Sequence, residues 1–286
     1  ILDQQGKLKD IQLKGSGRTP FSRRGDGKSA LGPVLREYLI SESMHILGIP
    51  TTRSLAAINT GEKVHRDEET YGGIMTRVAS SHIRIGSFEY AYKNKDISVV
   101  KDLADYSISR HYPDTASLDN PYLAFFAAVC NEQASLVASW MTVGFIHGVM
   151  NTDNMAISGE TIDYGPCAFM DAYDPATVFS SIDVNGRYAY GNQPAILTWN
   201  LTRLAETLIP LVNKDKDESI KLLTEVLQLI KPVYTNYWLS LMRSKIGLSK
   251  EEQNDIELIT NLLEIMEEEK ADFTNSFRLL SKALIG

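Results

Sequence analysis

A short stretch of this chain holds the residue types needed to move a phosphorus-bearing group. His147-Gly-Val-Met-Asn151-Thr-Asp153-Asn154 lies between a long apolar run and a segment that ends in Asp163-Tyr164-Gly165. Transfer of a phosphoryl or nucleotidyl group asks for cations on the phosphates and a carboxylate that accepts the incoming hydroxyl proton. Asp153 suits that base. Asn154 and Asp163 supply hard oxygen donors of the kind Mg²⁺ takes.

Taken alone, Asp153-Asn154 reads as an Asx turn capping a hairpin, and Asp-Tyr-Gly is equally weak by itself. Two further residues change the weighing. Lys14 stands at the end of an alternating stretch and Glu37 on the helix that follows, and a strand Lys oriented by a helix Glu is how a kinase-like small lobe holds phosphate. His147 reads as a hydrogen-bonded structural histidine, because Asp153 fills the base role and no second His lies at metal-ligand spacing. Gly15-Ser-Gly17 lacks the Gly-x-Gly-x-x-Gly spacing of a dinucleotide or kinase glycine loop. Cys167 has no neighbour in sequence that would lower its pKa and reads as a packed thiol.

The elements that must position these groups are legible in outline. Residues 8 to 14 alternate as a strand, and Gly15-Ser-Gly17 breaks it. Pro33 suits the first turn of a helix whose apolar positions are Val34, Leu35, Tyr38, Leu39, Ile46 and Leu47, ended by Gly48 and Pro50. Strands are expected at 53–59 and 73–79, joined by a polar loop containing Gly61 and Asp67. From Asp96 onward the chain turns helical, and 121–149 reads as one buried helix carrying Trp140 and Phe145. Residues 155 to 162 form a short hairpin around Ser158-Gly159-Glu160. Amphipathic helices follow over 196–285. The expected architecture is α+β, with a small mixed lobe over 1–90 and a large helical one over 91–286.

Composition narrows the function classes. The 286 residues are 43% hydrophobic and 23% charged, as in globular proteins, and no apolar run is long enough to span a bilayer. A formal net charge of −7 argues against a nucleic-acid partner. Two cysteines, Cys130 and Cys167, give neither a disulfide framework nor a zinc cluster, and point to a reducing compartment. The first residues, Ile-Leu-Asp-Gln-Gln-Gly, show no leader and read like the middle of a gene product.

Longer stretches carry a resemblance. Gln12-Leu-Lys-Gly-Ser-Gly-Arg-Thr-Pro-Phe-Ser-Arg-Arg-Gly-Asp-Gly27, Arg36-Glu37, Gly48-Ile-Pro-Thr-Thr-Arg53, Arg77-Val-Ala and His147 to Asn154 resemble the SelO (selenoprotein O, YdiU) family. So do Thr161-Ile-Asp-Tyr-Gly-Pro166, Gly186-Arg-Tyr, Asn192-Gln-Pro, Trp199-Asn-Leu and Ala271-Asp-Phe-Thr-Asn-Ser-Phe-Arg278. The resemblance implies a protein kinase-like two-lobed fold in which ATP lies inverted, so that the α-phosphate faces a protein Ser, Thr or Tyr hydroxyl and AMP is transferred. It implies that Lys14 binds phosphates and pairs with Glu37, that Asp26 and Gly27 line the nucleotide site, and that Arg77 and Arg84 add phosphate contacts. Asp153 would be the proton acceptor, with Asn154 and Asp163 as ligands of Mg²⁺, or of Mn²⁺ where UMP is transferred. Without that context, Arg77 and Arg84 read as exposed arginines snorkelling from a strand and a loop, and Asp26 as a turn residue.

Family members carry a glycine-rich segment upstream of the Lys strand and a tail beyond residue 286, and neither is present in this sequence. Where some relatives carry a cysteine after Asp-Tyr-Gly, this chain has Phe179, so redox gating through that pair is not expected. Two rival readings stay open: a conventional kinase using the same residues on the γ-phosphate, and a pseudokinase module that only binds nucleotide or a partner. Bacterial relatives imply the cytoplasm, and eukaryotic ones the mitochondrion.

Overall fold

The computed structural model describes residues 1–283 apart from 21, 23, 24, 67, 94 and 95. The N-terminal region is built on a four-stranded antiparallel sheet. β1 (Asp10–Lys14), β2 (Ser29–Ala30) and β3 (Arg53–His65) all pair with β4 (Glu69–Ala79). The β1 register runs from Asp10 opposite Ala79 to Lys14 opposite Met75, which sets Gln12 across from Arg77. Side chains two apart on a strand share a face, so Gln12 and Lys14 point to the side on which Arg77 is buried.

Helix α1 (Leu31–Ile46) covers that face, with Pro33 in its first turn as expected. It buries Val34, Glu37, Ser41 and Met44, at the three- and four-residue spacing of a single stripe. The expected apolar stripe is thus corrected: Leu35, Leu39, Ile46 and Leu47 are exposed. A buried ion network on the sheet takes the facing positions and turns the polar Glu37 inward. Gly61, expected in a loop, lies within β3, while Asp67 falls outside the described residues.

The rest is helical, and it begins earlier than the expected Asp96, with α2 (Ile85–Lys93) and then α3 (Ile97–His111). Helix α4 is Pro121–Thr142, capped by Asn120, whose side chain accepts from the Leu123 amide at 3.1 Å. It does not reach Val149. Gly144 takes a left-handed φ of 70°, and Phe145–Ile146 becomes β5, paired with β6 (Ala168–Phe169). A hairpin-like turn follows, with Met155 bridged to Thr161 around Gly159. The last helices are α5 (Gln193–Val212), α6 (Lys216–Ile246), α7 (Asp255–Glu268) and α8 (Phe273–Ala283). Helices α4, α5 and α6 pack on one another around Phe125, Val137, Trp140, Leu197, Leu204 and Leu208. No described helix is long and apolar enough to cross a membrane. Both cysteines are free and buried.

Helix α3 is tied back to the sheet by Arg110, which donates to Asp10 at 2.8 Å. Two histidines flank this junction. Burial and the nearby Arg77 and Arg84 push His82 down to about 4, and burial with Arg110 does the same for His111. Both stay neutral in the folded protein at pH values where an unfolded chain, with histidine near 6.5, binds protons. The unfolded state then carries up to two more protons, so stability is full above pH 6.5 and falls as pH drops towards 4. Urea midpoints across that range should show this slope, and a His82→Asn/His111→Asn variant should flatten it; an unchanged slope would assign the acid sensitivity elsewhere.

Candidate active site

Four charged side chains from four segments meet where the sheet faces the helical region. Lys14, at the end of β1, donates to Glu37 of α1 at 2.5 Å and also to Asp163. Arg77 of β4 donates through Nε to Glu37 Oε1 at 2.8 Å and through Nη2 to Asp163 Oδ1 at 3.1 Å. Its Nη1 donates to the Gln12 side-chain oxygen at 2.8 Å. Exposure separates the members: the Glu37 and Arg77 side chains are 0% and 2% exposed, but Lys14 and Asp163 retain 23% and 29%. Glu37 and Arg77 therefore lie deepest in the cluster, and Lys14 and Asp163 are its more open members. Burial works against charge on Asp163, yet Lys14 and Arg77 beside it hold its carboxyl well below the usual carboxylate range.

Asp163 has a left-handed φ of 67°, uncommon for a residue with a Cβ. The segment around it is over-determined. Thr161 accepts from Trp140 Nε1 at 2.8 Å and donates to the Pro50 carbonyl at 2.9 Å, the Tyr164 hydroxyl meets Thr51, and Arg36 donates to the Gly165 carbonyl at 2.5 Å. His147, fully buried, has Nε2 2.9 Å from the Ile162 carbonyl, so that nitrogen carries the proton and Nδ1 is left as acceptor. Burial keeps its pKa below the ordinary value. The expected structural role of His147 agrees with this geometry. Burial likewise pushes the Cys167 thiol up to about 12, as expected for a packed cysteine.

Asp153 and Asn154 lie on the short 3-10 turn Thr152–Asn154. Arg84, one residue before α2, donates to the Asp153 carbonyl at 2.9 Å. Its place is beside the Asp153 backbone, and neither it nor the buried Arg77 is the exposed, snorkelling arginine that sequence alone suggests. The Asn154 side-chain Nδ2 donates to the Val149 carbonyl at 2.9 Å, so its Oδ1 is the atom that could meet a cation. Asp26 and Gly27 are not part of this cluster. Asp26 is exposed and paired with Arg66 at 3.1 Å, whose hydrogen bond lowers its pKa, and Gly27 accepts from the Gly17 amide at 3.1 Å. The next residue, Lys28, lines a cavity of about 270 Å³ together with Gly15, Ser16, Ser29 and Glu62.

Gly86, in the first turn of α2, was missed by sequence reasoning. A Cβ there would sit 2.2 Å from Asp153 Oδ1 and 3.3 Å from its Cα, so any larger residue must push this carboxylate aside. A glycine inside an otherwise helical apolar pattern was the available signal. Gly86→Ala is expected to displace the Asp153 carboxylate and lower turnover about 10- to 100-fold. Nucleotide binding should be retained, as titration calorimetry beside a turnover assay would show; full turnover in the variant would mean the carboxylate position is not critical.

Fold and cluster together define a class: a mixed α/β protein whose N-terminal sheet and helical C-terminal region share one charge network of cations and carboxylates. Residues 1–284 match the family described as protein adenylyltransferase SelO. A protein nucleotidyltransferase YdiU of Cereibacter sphaeroides (strain ATCC 17029 / ATH 2.4.9) is 60% identical over 285 residues, 99% of this chain and 59% of the relative. Its counterpart in Rhizobium rhizogenes (strain K84 / ATCC BAA-868) is 58% identical over 280 residues, 98% of this chain and 56% of the relative. That of Shouchella clausii (strain KSM-K16) is 58% identical over 276 residues, 96% and 57% respectively. This chain belongs to the SelO family. It spans between 56% and 59% of the length of these curated relatives.

Proposed function

We propose that the chain carries the catalytic core of a protein adenylyltransferase, moving AMP from ATP to a Ser, Thr or Tyr hydroxyl of a protein, in the cytoplasm. The observation that supports this most is the meeting of Lys14, Arg77, Glu37 and Asp163, with Asp153 and Asn154 on a turn held by Arg84. In this reading residues 1–90 form the small lobe and 91–286 the large lobe of a kinase-like fold. Lys14, Arg77 and Arg84 bind the triphosphate, a cation count suited to β- and γ-phosphates buried against the sheet. Asp26 and Gly27 line the nucleotide site.

The donor set fits a divalent cation of the Mg²⁺ type. Among the described residues no three His, Cys, Asp or Glu side chains come together as a metal cage, but Asn154 and Asp163 offer hard oxygens. Mg²⁺ commonly takes one or two protein carboxylates or amides and completes its shell with phosphate and water. Bound there, it would neutralise charge developing on the phosphates. Mn²⁺ would fit the same oxygens. The chain's own residues do the rest. Glu37 fixes Lys14 and Arg77, Arg84 fixes the turn, and Asp153 accepts the proton as the acceptor oxygen bonds to the α-phosphorus and pyrophosphate leaves.

Incubation of the full-length protein with Mg²⁺ and ATP labelled at the α- or the γ-phosphate tests this directly. Label from the α-phosphate alone should appear on protein. Label from the γ-phosphate alone would make the protein a kinase, and none from either would favour a module that only binds.

A further inference from the structure

We propose that Gln193 and Asn200 of α5 are positioning residues for the proposed transfer reaction: they hold the loop His147–Asn154 by its backbone, so that Asp153 stands where the incoming hydroxyl must lose its proton. The two lie seven residues apart, two turns along α5, on one stripe, and both are fully buried. Gln193 bridges the start of the loop. Its oxygen accepts from the His147 amide at 3.0 Å and its nitrogen donates to the Phe145 carbonyl at 2.9 Å. Asn200 holds the middle, donating to the Met150 carbonyl at 2.8 Å.

A loop has no ladder of its own to satisfy its backbone groups, and buried ones need partners. Here two side chains from one rigid helix supply them on either side of Gly148. Through His147 the same anchor reaches the other functional segment, since that ring contacts the Ile162 carbonyl next to Asp163. Asn200 does this at a cost to stability. Its own oxygen is buried with no hydrogen-bond partner among the described residues, where an aliphatic side chain would bury none. A side chain chosen only for packing would not be an amide; one needed to hold a carbonyl in place would.

The inference rests on the proposed transfer activity for its kinetic arm, so a second readout is kept independent of it. In the full-length protein, Asn200→Leu and Gln193→Leu should lower kcat at least tenfold with the KM for ATP within about twofold, while Asn200→Asp and Gln193→Glu test retention of shape without the donors. In an Asp153→Ala background the Asn200 change should have no further effect, because its contribution acts through Asp153. Amide hydrogen exchange, which needs no activity, should speed up in residues 147–154 of the Leu variants and not in α4 or α6. Unchanged exchange in that loop overturns the inference whatever the activity. A wild-type protein that transfers no α-label would instead sink the proposed reaction and leave the exchange result to decide the anchoring. Wild-type transfer with unaltered kcat in both Leu variants would show that the anchoring is structural and not catalytic.

Discussion

Replacing Asp153 with Ala is expected to lower the proposed AMP transfer about 10²- to 10⁴-fold, the usual contribution of a positioned proton acceptor, while ATP binding and folding persist. The structure gives reasons for that separation. Arg84 holds the turn through the Asp153 backbone carbonyl, which alanine keeps, and the cations proposed to bind phosphate lie on other segments. Removing the side chain takes away the acceptor without unpairing Lys14 or Arg77. Transfer of α-labelled AMP, measured beside ATP affinity, separates the possibilities. Undiminished transfer would remove Asp153 from the mechanism, and lost ATP binding would make it a ligand-binding group.

Glu37→Ala is expected to have the larger effect on the fold. Glu37 is fully buried and is the carboxylate shared by Lys14 and Arg77, the latter almost without exposure. Deleting one member of such a set leaves buried charge under-compensated, a loss of about 3–5 kcal/mol. Asp163 still touches both cations, so the loss should fall short of complete unfolding. Chemical denaturation of wild type and variant would measure it, with Glu37→Gln as the milder change should Glu37→Ala not be recovered folded. A variant as stable as wild type would show that Asp163 alone suffices to compensate Arg77.

How much of this was legible in the sequence depended on whether a residue's neighbours were local. Lys14 ending a strand and Glu37 on the next helix could be read from alternation and a Pro at the helix start, and the structure joins them. The hairpin carrying Asp163 could be read from Ser158-Gly159-Glu160. The facing of α1 could not. A periodicity argument assumes that apolar side chains mark the buried side, and here Glu37 and Ser41 occupy it because the sheet presents Arg77 there. Helix α4 was extended too far because Phe145 and Ile146 are apolar like the helix before them; Gly144 was the signal, and pairing with residues 168–169 the cause. Gly86, Gln193 and Asn200 were invisible for a different reason. Each acts on a backbone 46 to 67 positions away, or close against it in space, and nothing in a single sequence records such a partner.

The charge network also has an order in time. Lys14 and Glu37 are 23 residues apart and Glu37 and Arg77 are 40 apart, but Lys14 and Asp163 are separated by 149. On a ribosome adding about 5–20 residues per second, Asp163 is made roughly 4–17 s after the sheet is finished at Ala79. During that interval Glu37 is the one carboxylate of the network present to answer Lys14 and Arg77. Until Asp163 is synthesised, the network holds two cations, Lys14 and Arg77, against the single carboxylate of Glu37.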